Sequence, residues 1–572
     1  MSNLGSPIAI LVLMNVLVAT ACGPAVRPGA GPAPVEATGS DAQSRPLRVY
    51  MSNEPHPEIT DNVAGRANFT VSMFGSPLVS LKDGYPWGVL GSAPELNTDT
   101  WKVFPDGRME TTFRLKPGLT WHDGAPLTAE DTVFSYQLLR ARVELNLGVQ
   151  INLAEFKAIE DVVAPASDTV VIRWRDLWVD AAIPSFRSLG PFPKHILGEA
   201  LEKVAVDKAG LESHPYWTNG FVGSGPYRMT KWEPGVFIEG TAFADYVFGR
   251  PKIDKIVVMW SGDPNVIVTR FLAKESDFAP NLALRFTHAV TLRNQWAASG
   301  EGVVVLTPNQ DRELIAQLRP DVVNPRAILD LRVRKASLHA IDRQALTDAL
   351  TDGEGPVAMS LAQPTEVYHP DLLQVVPKYA FDPRRTEELM GQAGFAKGGD
   401  GFFASRAEGR FAPEVMGVAE GPDGEETTAV ADYFRRAGID AQLNLQAGSI
   451  LNRSGEMKST FQAWRDTYAS TPEKFYGPQI STVDNQWRGL NKPGWLNPEN
   501  DRIIERLATT LDITQRRQLF VQAHKNLMED LPALPLYFAL GVIAYSADLE
   551  GPTPPTPNTT AYMNLHEWHW IR

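Results

Sequence analysis

Apolar and polar positions alternate in some stretches of this chain and recur at helical spacing in others. Met109, Thr111, Phe113 and Leu115 alternate with Glu110, Thr112, Arg114 and Lys116, the period of a strand with one buried and one polar face. Val170, Ile172 and Trp174, interleaved with Val171, Arg173 and Arg175, predict a second strand. Leu47-Arg48-Val49-Tyr50-Met51 reads as the first strand of a folded body that starts near Pro46. Elsewhere the period lengthens. Thr128 is an N-cap residue with Asp131 three positions on, ahead of Val133, Phe134 and Leu138. Val333, Ala336, Ala340 and Ile341 fall at helical spacing. Asn497 and Pro498 open a helix bearing Ile503, Ile504, Leu507 and Leu511, and a second, with Leu519, Phe520, Ala523 and Leu527, stops at Pro532. The content is mixed α and β, without the regular βαβ rhythm of a barrel or a simple doubly wound sheet.

The N-terminus follows another pattern. Residues 8–21 are almost wholly apolar and end on Ala19-Thr20-Ala21, directly before Cys22, the only cysteine of 572 residues. The run is short of the roughly 20 residues a membrane span needs, and its length suits a signal-peptide core. A cysteine at the cleavage point resembles a bacterial lipobox, in which the thiol is acylated and becomes the new N-terminus. Ala19 stands where that motif usually has Leu, and Met1–Pro7 carries no Lys or Arg. An ordinary cleaved signal peptide and an uncleaved anchor are the other readings. Residues 23–45 are rich in Pro, Gly, Ala and Ser. They hold too little apolar surface to offset the entropy of ordering, so a flexible tether is expected.

Some 525 residues remain, more than one hydrophobic core usually serves, so at least two lobes are expected. The net charge of −13 argues against nucleic acid or an anionic membrane surface as the main partner. Apolar content of 43 % with 21 % charged residues is globular.

Several segments together resemble the family 5 extracellular solute-binding proteins, the dipeptide-, oligopeptide- and nickel-binding components of ABC importers. The longest runs from Asp106-Gly107 through Phe113-Arg114-Leu115 to Trp121-His122-Asp123-Gly124-Ala125-Pro126-Leu127-Thr128-Ala129-Glu130-Asp131, similar to the family's D-G turn, Phe-x-Leu strand and W-H-D-G-x-P-L-T-A-E-D block. Gly223-Ser224-Gly225-Pro226-Tyr227 looks like its G-T-G-P-Y turn. Leu331–Ala336 with Ala340-Ile341-Asp342-Arg343, Tyr379–Pro383 with Ala393-Gly394-Phe395, and Asn497-Pro498 with Asp501 follow in the family's order. Ala273-Lys274-Glu275-Ser276-Asp277-Phe278-Ala279 stands where A-G-E-I-D-F-A is common, and Glu313–Leu318 replaces the usual F-N strand.

The resemblance implies a mixed α/β fold of two lobes, like that of periplasmic binding proteins, with a hinge between the lobes and an extra domain appended to one of them. The expected organisation is 1–21 signal peptide, 22–45 lipid-anchored linker, 46–90, 206–310 and 531–572 first lobe, 91–205 appended domain, and 311–530 second lobe. It also implies an extracytoplasmic, monomeric binding component that captures a small ligand, a peptide foremost, and delivers it to ABC permease and ATPase subunits. It would be held at the cell membrane by lipid on Cys22. Import of a sugar, opine or metal chelate, and ligand sensing without transport, stay open.

For the ligand site the resemblance points to two segments. Met73–Val79 resembles Y-E-G-L-V of the cleft floor, giving Phe74 and Gly75. Phe461–Tyr468 resembles G-W-x-x-D-Y, whose acid holds a peptide's ammonium group, giving Trp464 and Asp466. Trp487 is a further cleft-wall candidate. No catalytic residue, metal ligand or cofactor is expected. His122-Asp123 lies in a Gly/Pro-rich turn without a nucleophile motif, His566 and His569 are three apart rather than the four of a zincin helix, and no P-loop or dinucleotide fingerprint is present.

Overall fold

The computed structural model describes residues 45–55, 73–82, 85–145, 147, 153–183, 191–468, 471–554 and 562–571. Cys22, the apolar segment before it and residues 23–44 of the Pro/Gly-rich stretch lie outside the described residues. Among the described residues no helix is long and apolar enough to cross a membrane.

One ten-stranded mixed sheet runs through the body. Its order is Gln442–Gln446, Glu414–Val418, Trp464–Tyr468, Gly302–Ala316, Ala533–Ser546, Phe278–Ala279, Leu47–Met51, Lys255–Trp260, Phe237–Ala242 and Tyr227–Glu233. The two longest strands, Gly302–Ala316 and Ala533–Ser546, pair antiparallel along their lengths and belong to both lobes. At one end Val542 and Ala544 pack with Phe271, Leu292 and Trp296 in a first-lobe core. At the other, Leu314, Ala316, Leu534 and Leu536 pack with Ile328, Phe434 and Trp464 in the second lobe. The ladder is broken between Pro308 and Gln310 and again between Arg312 and Glu313. Pro308 and Pro535 bring no N–H to it, so its middle is where the pair can bend. Leu531, Leu534, Leu536 and Tyr537 share one core with Leu314 and Ala316.

Beside the first lobe stands a separate antiparallel sheet, ordered Trp101–Val103, Met109–Arg114, Thr169–Trp174, Ile159–Ala166. Met109, Thr111 and Phe113 face inward and Glu110, Thr112 and Arg114 outward, as their alternation predicts. Helix Ala129–Glu144 covers this sheet through Phe134, Leu138 and Leu139, and Asp131 accepts the Thr128 N–H at 2.9 Å. Two helical expectations shift. The Val333–Ile341 spacing is split, because helix Leu331–His339 ends and Asp342 caps a new helix, Arg343–Thr351, by accepting from Ala345 N. Leu511 lies beyond helix Pro498–Thr509 and packs on the appended sheet's core instead.

The quoted motifs meet at junctions. Asp277, of Ala273–Ala279, is fully buried and accepts from Arg48 N, Nε and Nη2 at 2.9, 2.7 and 2.8 Å and from Arg45 Nη2 at 2.6 Å. It thereby ties the first strand to its neighbour. Where the appended sheet joins the first lobe, buried His122 accepts from Gly223 N through Nδ1 at 3.3 Å, so its Nε2–H donates to Gly225 O at 2.9 Å. Gly225 N donates to Phe74 O at 3.1 Å, and Ser76 Oγ to Ser224 O at 3.1 Å. Asp123 turns away to His195 at 2.8 Å, so His122 and Asp123 form no dyad.

Burial lowers the His122 pKa to about 4, and burial likewise lowers that of His524 to about 4. Each folded-state value lies below the unfolded 6.5. The stability each neutral ring contributes is therefore complete above pH 6.5 and is lost as pH falls toward 4. The loss is up to about 1.4 kcal/mol per pH unit per histidine. Urea unfolding between pH 7 and 4 should show this slope, and His122→Gln should remove about half of it.

Candidate functional site

The bend region carries a charged cluster inside the second lobe. Arg312 stands on the outgoing long strand, Tyr537 on the return strand, Asp466 on the neighbouring strand Trp464–Tyr468, and Asp423, Glu426 and Thr427 on helix Pro422–Ala437. Arg312 Nε donates to Glu426 Oε2 at 2.8 Å. Its Nη2 reaches Asp423 at 2.9 Å and Asp466 at 3.2 Å. Thr427 Oγ1 donates to Asp466 Oδ2 at 2.7 Å, and Tyr537 OH to Glu426 Oε2 at 2.8 Å. Arg312, Glu426 and Asp466 are all buried.

Burial pushes the Glu426 pKa up to about 8, against the pull of Arg312. Burial raises Asp466 as well, again opposed by Arg312. Burial alone would lower Arg312, but Glu426, Asp466 and Asp423 together hold it well above its ordinary value. Two adjacent buried carboxyls beside one guanidinium favour one shared proton, which leaves the core of the cluster near neutral. Groups from three strands and a helix are thus fastened together beside the second break in the long strand pair.

The sequence-derived site residues fall in different places. Phe74 is buried in the first-lobe core with Tyr227 and Ile256, and Gly75 lies against the Gly225 turn. Trp464 is fully buried beside Phe434 in the second lobe. Asp466 stands two residues after Trp464, whereas the G-W-x-x-D-Y pattern has its acid three after. Side chains alternate along a strand, so that one-residue difference turns Asp466 onto the helix-covered face with Arg312 and leaves Thr467, half-buried, on the other. Trp487 is half-buried in a loop of the second lobe, with φ of 59° after Gln486 at 54°. The rings of Phe74 and Trp464 fill two separate cores, and Gly75 and Trp487 keep partly exposed surface.

The lobes also touch away from the long strands. Arg293, on first-lobe helix Phe286–Ser299, pairs through both guanidinium nitrogens with Glu354 of the second lobe, Nη1 at 2.8 Å from Oε2. Gln363 Nε2 donates to Asn309 O at the bend at 2.6 Å. Gly421, with φ of 60°, opens helix Pro422–Ala437 against the guanidinium of Arg285 from the first lobe. Arg516 of the second lobe lies 3.4 Å from Asp180 beside the appended sheet. These polar, partly exposed contacts can exchange for water at modest cost.

Residues missed by the motif reading are Arg312, Glu426, Tyr537 and Arg465. One signal existed: Asp311-Arg312-Glu313 runs directly into the apolar Leu314-Ile315-Ala316 of the same strand, and charges in such a setting are buried in pairs.

Residues 92–486 match the family model for bacterial extracellular solute-binding proteins, family 5, middle region, and the chain belongs to that family. The oligopeptide-binding protein AppA of Bacillus subtilis is 24 % identical over 478 residues, 82 % of this chain and 81 % of that protein. The oligopeptide-binding protein of Thermus thermophilus, solved with a pentapeptide, superposes with a TM-score of 0.70 at 22 % identity, over 92 % of this chain and 96 % of that one. NikZ of Campylobacter jejuni, solved with Ni(L-His), gives 0.70 at 18 % identity, over 91 % and 99 %. At these identities the solved structures share the two-lobe fold with this chain.

Proposed function

We propose that this protein captures short peptides outside the cytoplasm by closing its lobes about the bulged strand pair and delivers them to a membrane permease, tethered through acylated Cys22. The observation that carries the reading is the pair Gly302–Ala316 and Ala533–Ser546, shared by both lobes and broken in register where it passes between them. A ligand touching both lobes shifts the open–closed population by its differential affinity. The peptide-binding names of the relatives support the ligand class. Among the residues considered above, Gly75 and Trp487 keep partly exposed surface for a ligand.

A ligand that binds only the folded state stabilises it by roughly 2.7 kcal/mol at 100 times its Kd. Thermal unfolding with pooled di- to pentapeptides should therefore raise the melting temperature, small-angle scattering should show compaction, and the peptides should be recovered intact. If only oligosaccharides or chelated metals stabilise the protein, the peptide assignment fails. Cys22→Ser should abolish membrane attachment in cells, and a mature N-terminus other than acylated Cys22 would refute the anchor.

A further inference from the structure

Arg465 lies on the central strand Trp464–Tyr468, on the sheet face opposite the Arg312 cluster. It is 7 % exposed, and among the described residues its guanidinium makes no hydrogen bond or ion pair. Its Nε–H is buried without a partner, and a permanent charge largely removed from water favours an anionic or strongly polar partner. Asp466 points to the other face, to Arg312 and Thr427. Glu313 is buried on Arg465's own face and raises its pKa through space, but among the described residues no hydrogen bond joins the two.

Two cations also act on this face. Lys458 and Lys492 come from the two segments that cover this face, and both sense Arg465 as a like charge. Lys492 Nζ donates to Trp487 O at 2.8 Å and Ser481 Oγ at 3.2 Å, and Lys458 Nζ donates to Asn452 O. These acceptors are neutral. Burial lowers the Lys492 pKa to about 8, with Lys458, Arg465 and Arg319 adding to the effect. Arg319 is different in kind: its guanidinium is spent on the carbonyls of Ser459, Ser481 and Asn491, which fasten the two covering segments together. Trp487, in its left-handed conformation, forms part of the same wall.

We propose that Arg465, with Lys458 and Lys492, forms a binding site for an anionic oxygen group of the ligand, a carboxylate or a phosphate, under the wall that carries Trp487. The inference rests on the solute-binding reading and narrows its ligand class to acid-bearing compounds. A planar guanidinium takes two oxygens of such a group at once, and the two ammonium groups add point charges.

The test uses calorimetry and thermal unfolding with defined probes: Ala-Xaa-Ala tripeptides with a free C-terminus, the same peptides amidated, Ala-Glu-Ala amide, citrate and inorganic phosphate. The wild type should bind the acid-bearing members of the set at least about tenfold more tightly than the fully amidated ones. Arg465→Met keeps the length of the side chain and removes a buried charge, so it should fold with unreduced stability and lose that preference. Lys492→Met should reduce it in part. If free-acid tripeptides are favoured and Ala-Glu-Ala amide is not, the group is the chain terminus, and the reverse result assigns a side chain. If no peptide binds but citrate or phosphate stabilises the wild type and not Arg465→Met, the site stands and the peptide reading falls. If peptides bind and Arg465→Met keeps the wild-type preference, or if no acid-bearing probe is favoured, the site is refuted while the peptide reading is untouched.

Discussion

Arg312→Met is expected to destabilise the protein by about 3–5 kcal/mol, because it removes the guanidinium that Glu426 and Asp466 share and leaves a buried charge uncompensated. The methionine fills much of the same volume, so the loss is electrostatic rather than a cavity. The sign of its pH dependence follows from Glu426. In the wild type the folded-state pKa of that carboxyl, about 8, lies above its unfolded 4.5. Its contribution is therefore fully present below pH 4.5 and is lost as pH rises toward 8, by up to about 1.4 kcal/mol per unit. Without Arg312 the carboxyls hold their protons more tightly, and the variant should lose more stability at pH 8 than at pH 5. Adding Glu426→Gln and Asp466→Asn removes both acids and should restore most of the loss. Urea unfolding of the three proteins at pH 5, 6.5 and 8 decides the matter. A single variant as stable as the wild type at pH 8 would mean the acids find compensation elsewhere.

The fold was largely legible because its signals are local. The alternation at Met109–Leu115 and the caps at Thr128 and Asn497 each specify an element from a few neighbouring residues, and the D-G, W-H-D-G and G-S-G-P-Y segments identify the family. The site was less legible because it depends on which face of a strand a residue occupies and what lies opposite. At Asp466 a one-residue difference in spacing decides between a free carboxylate and a buried ion pair. The partner, Arg312, lies 154 residues earlier and can be linked to it only once strand pairing is known. Phe74 shows the same dependence on long-range contacts: its carbonyl accepts from Gly225 in the turn, and its ring packs in the core beside Gly240. The break at Ala340–Asp342 escaped because an aspartate that caps the second helix also fits the polar face of one longer helix.

Gly223→Ala should cost about 3–5 kcal/mol, for a steric reason independent of charge. A Cβ on Gly223 would stand 1.8 Å from Phe74 O and 2.9 Å from Phe74 C, and backbone cannot swing aside as a side-chain tip can. Both partners are also fixed in place: Phe74 O accepts from Gly225 N, Gly223 O from His122 N at 2.9 Å, and His122 Nδ1 from Gly223 N. Relieving the clash would therefore break two or three buried hydrogen bonds at about 1 kcal/mol each, on top of an overpacking cost of about 1–3 kcal/mol. This explains the glycine that opens the Gly-Ser-Gly-Pro-Tyr turn and ties it to the Trp-His-Asp-Gly segment: His122 and Gly223 are two sides of one joint between the appended sheet and the first lobe. Gly262→Ala, with nothing within 4 Å of its added methyl, is the control and should change stability by less than about 0.5 kcal/mol. Urea midpoints of the two variants that coincide with the wild type would show that the turn yields freely, and the joint would then have to be held by the packing of Trp121 and Phe221 alone.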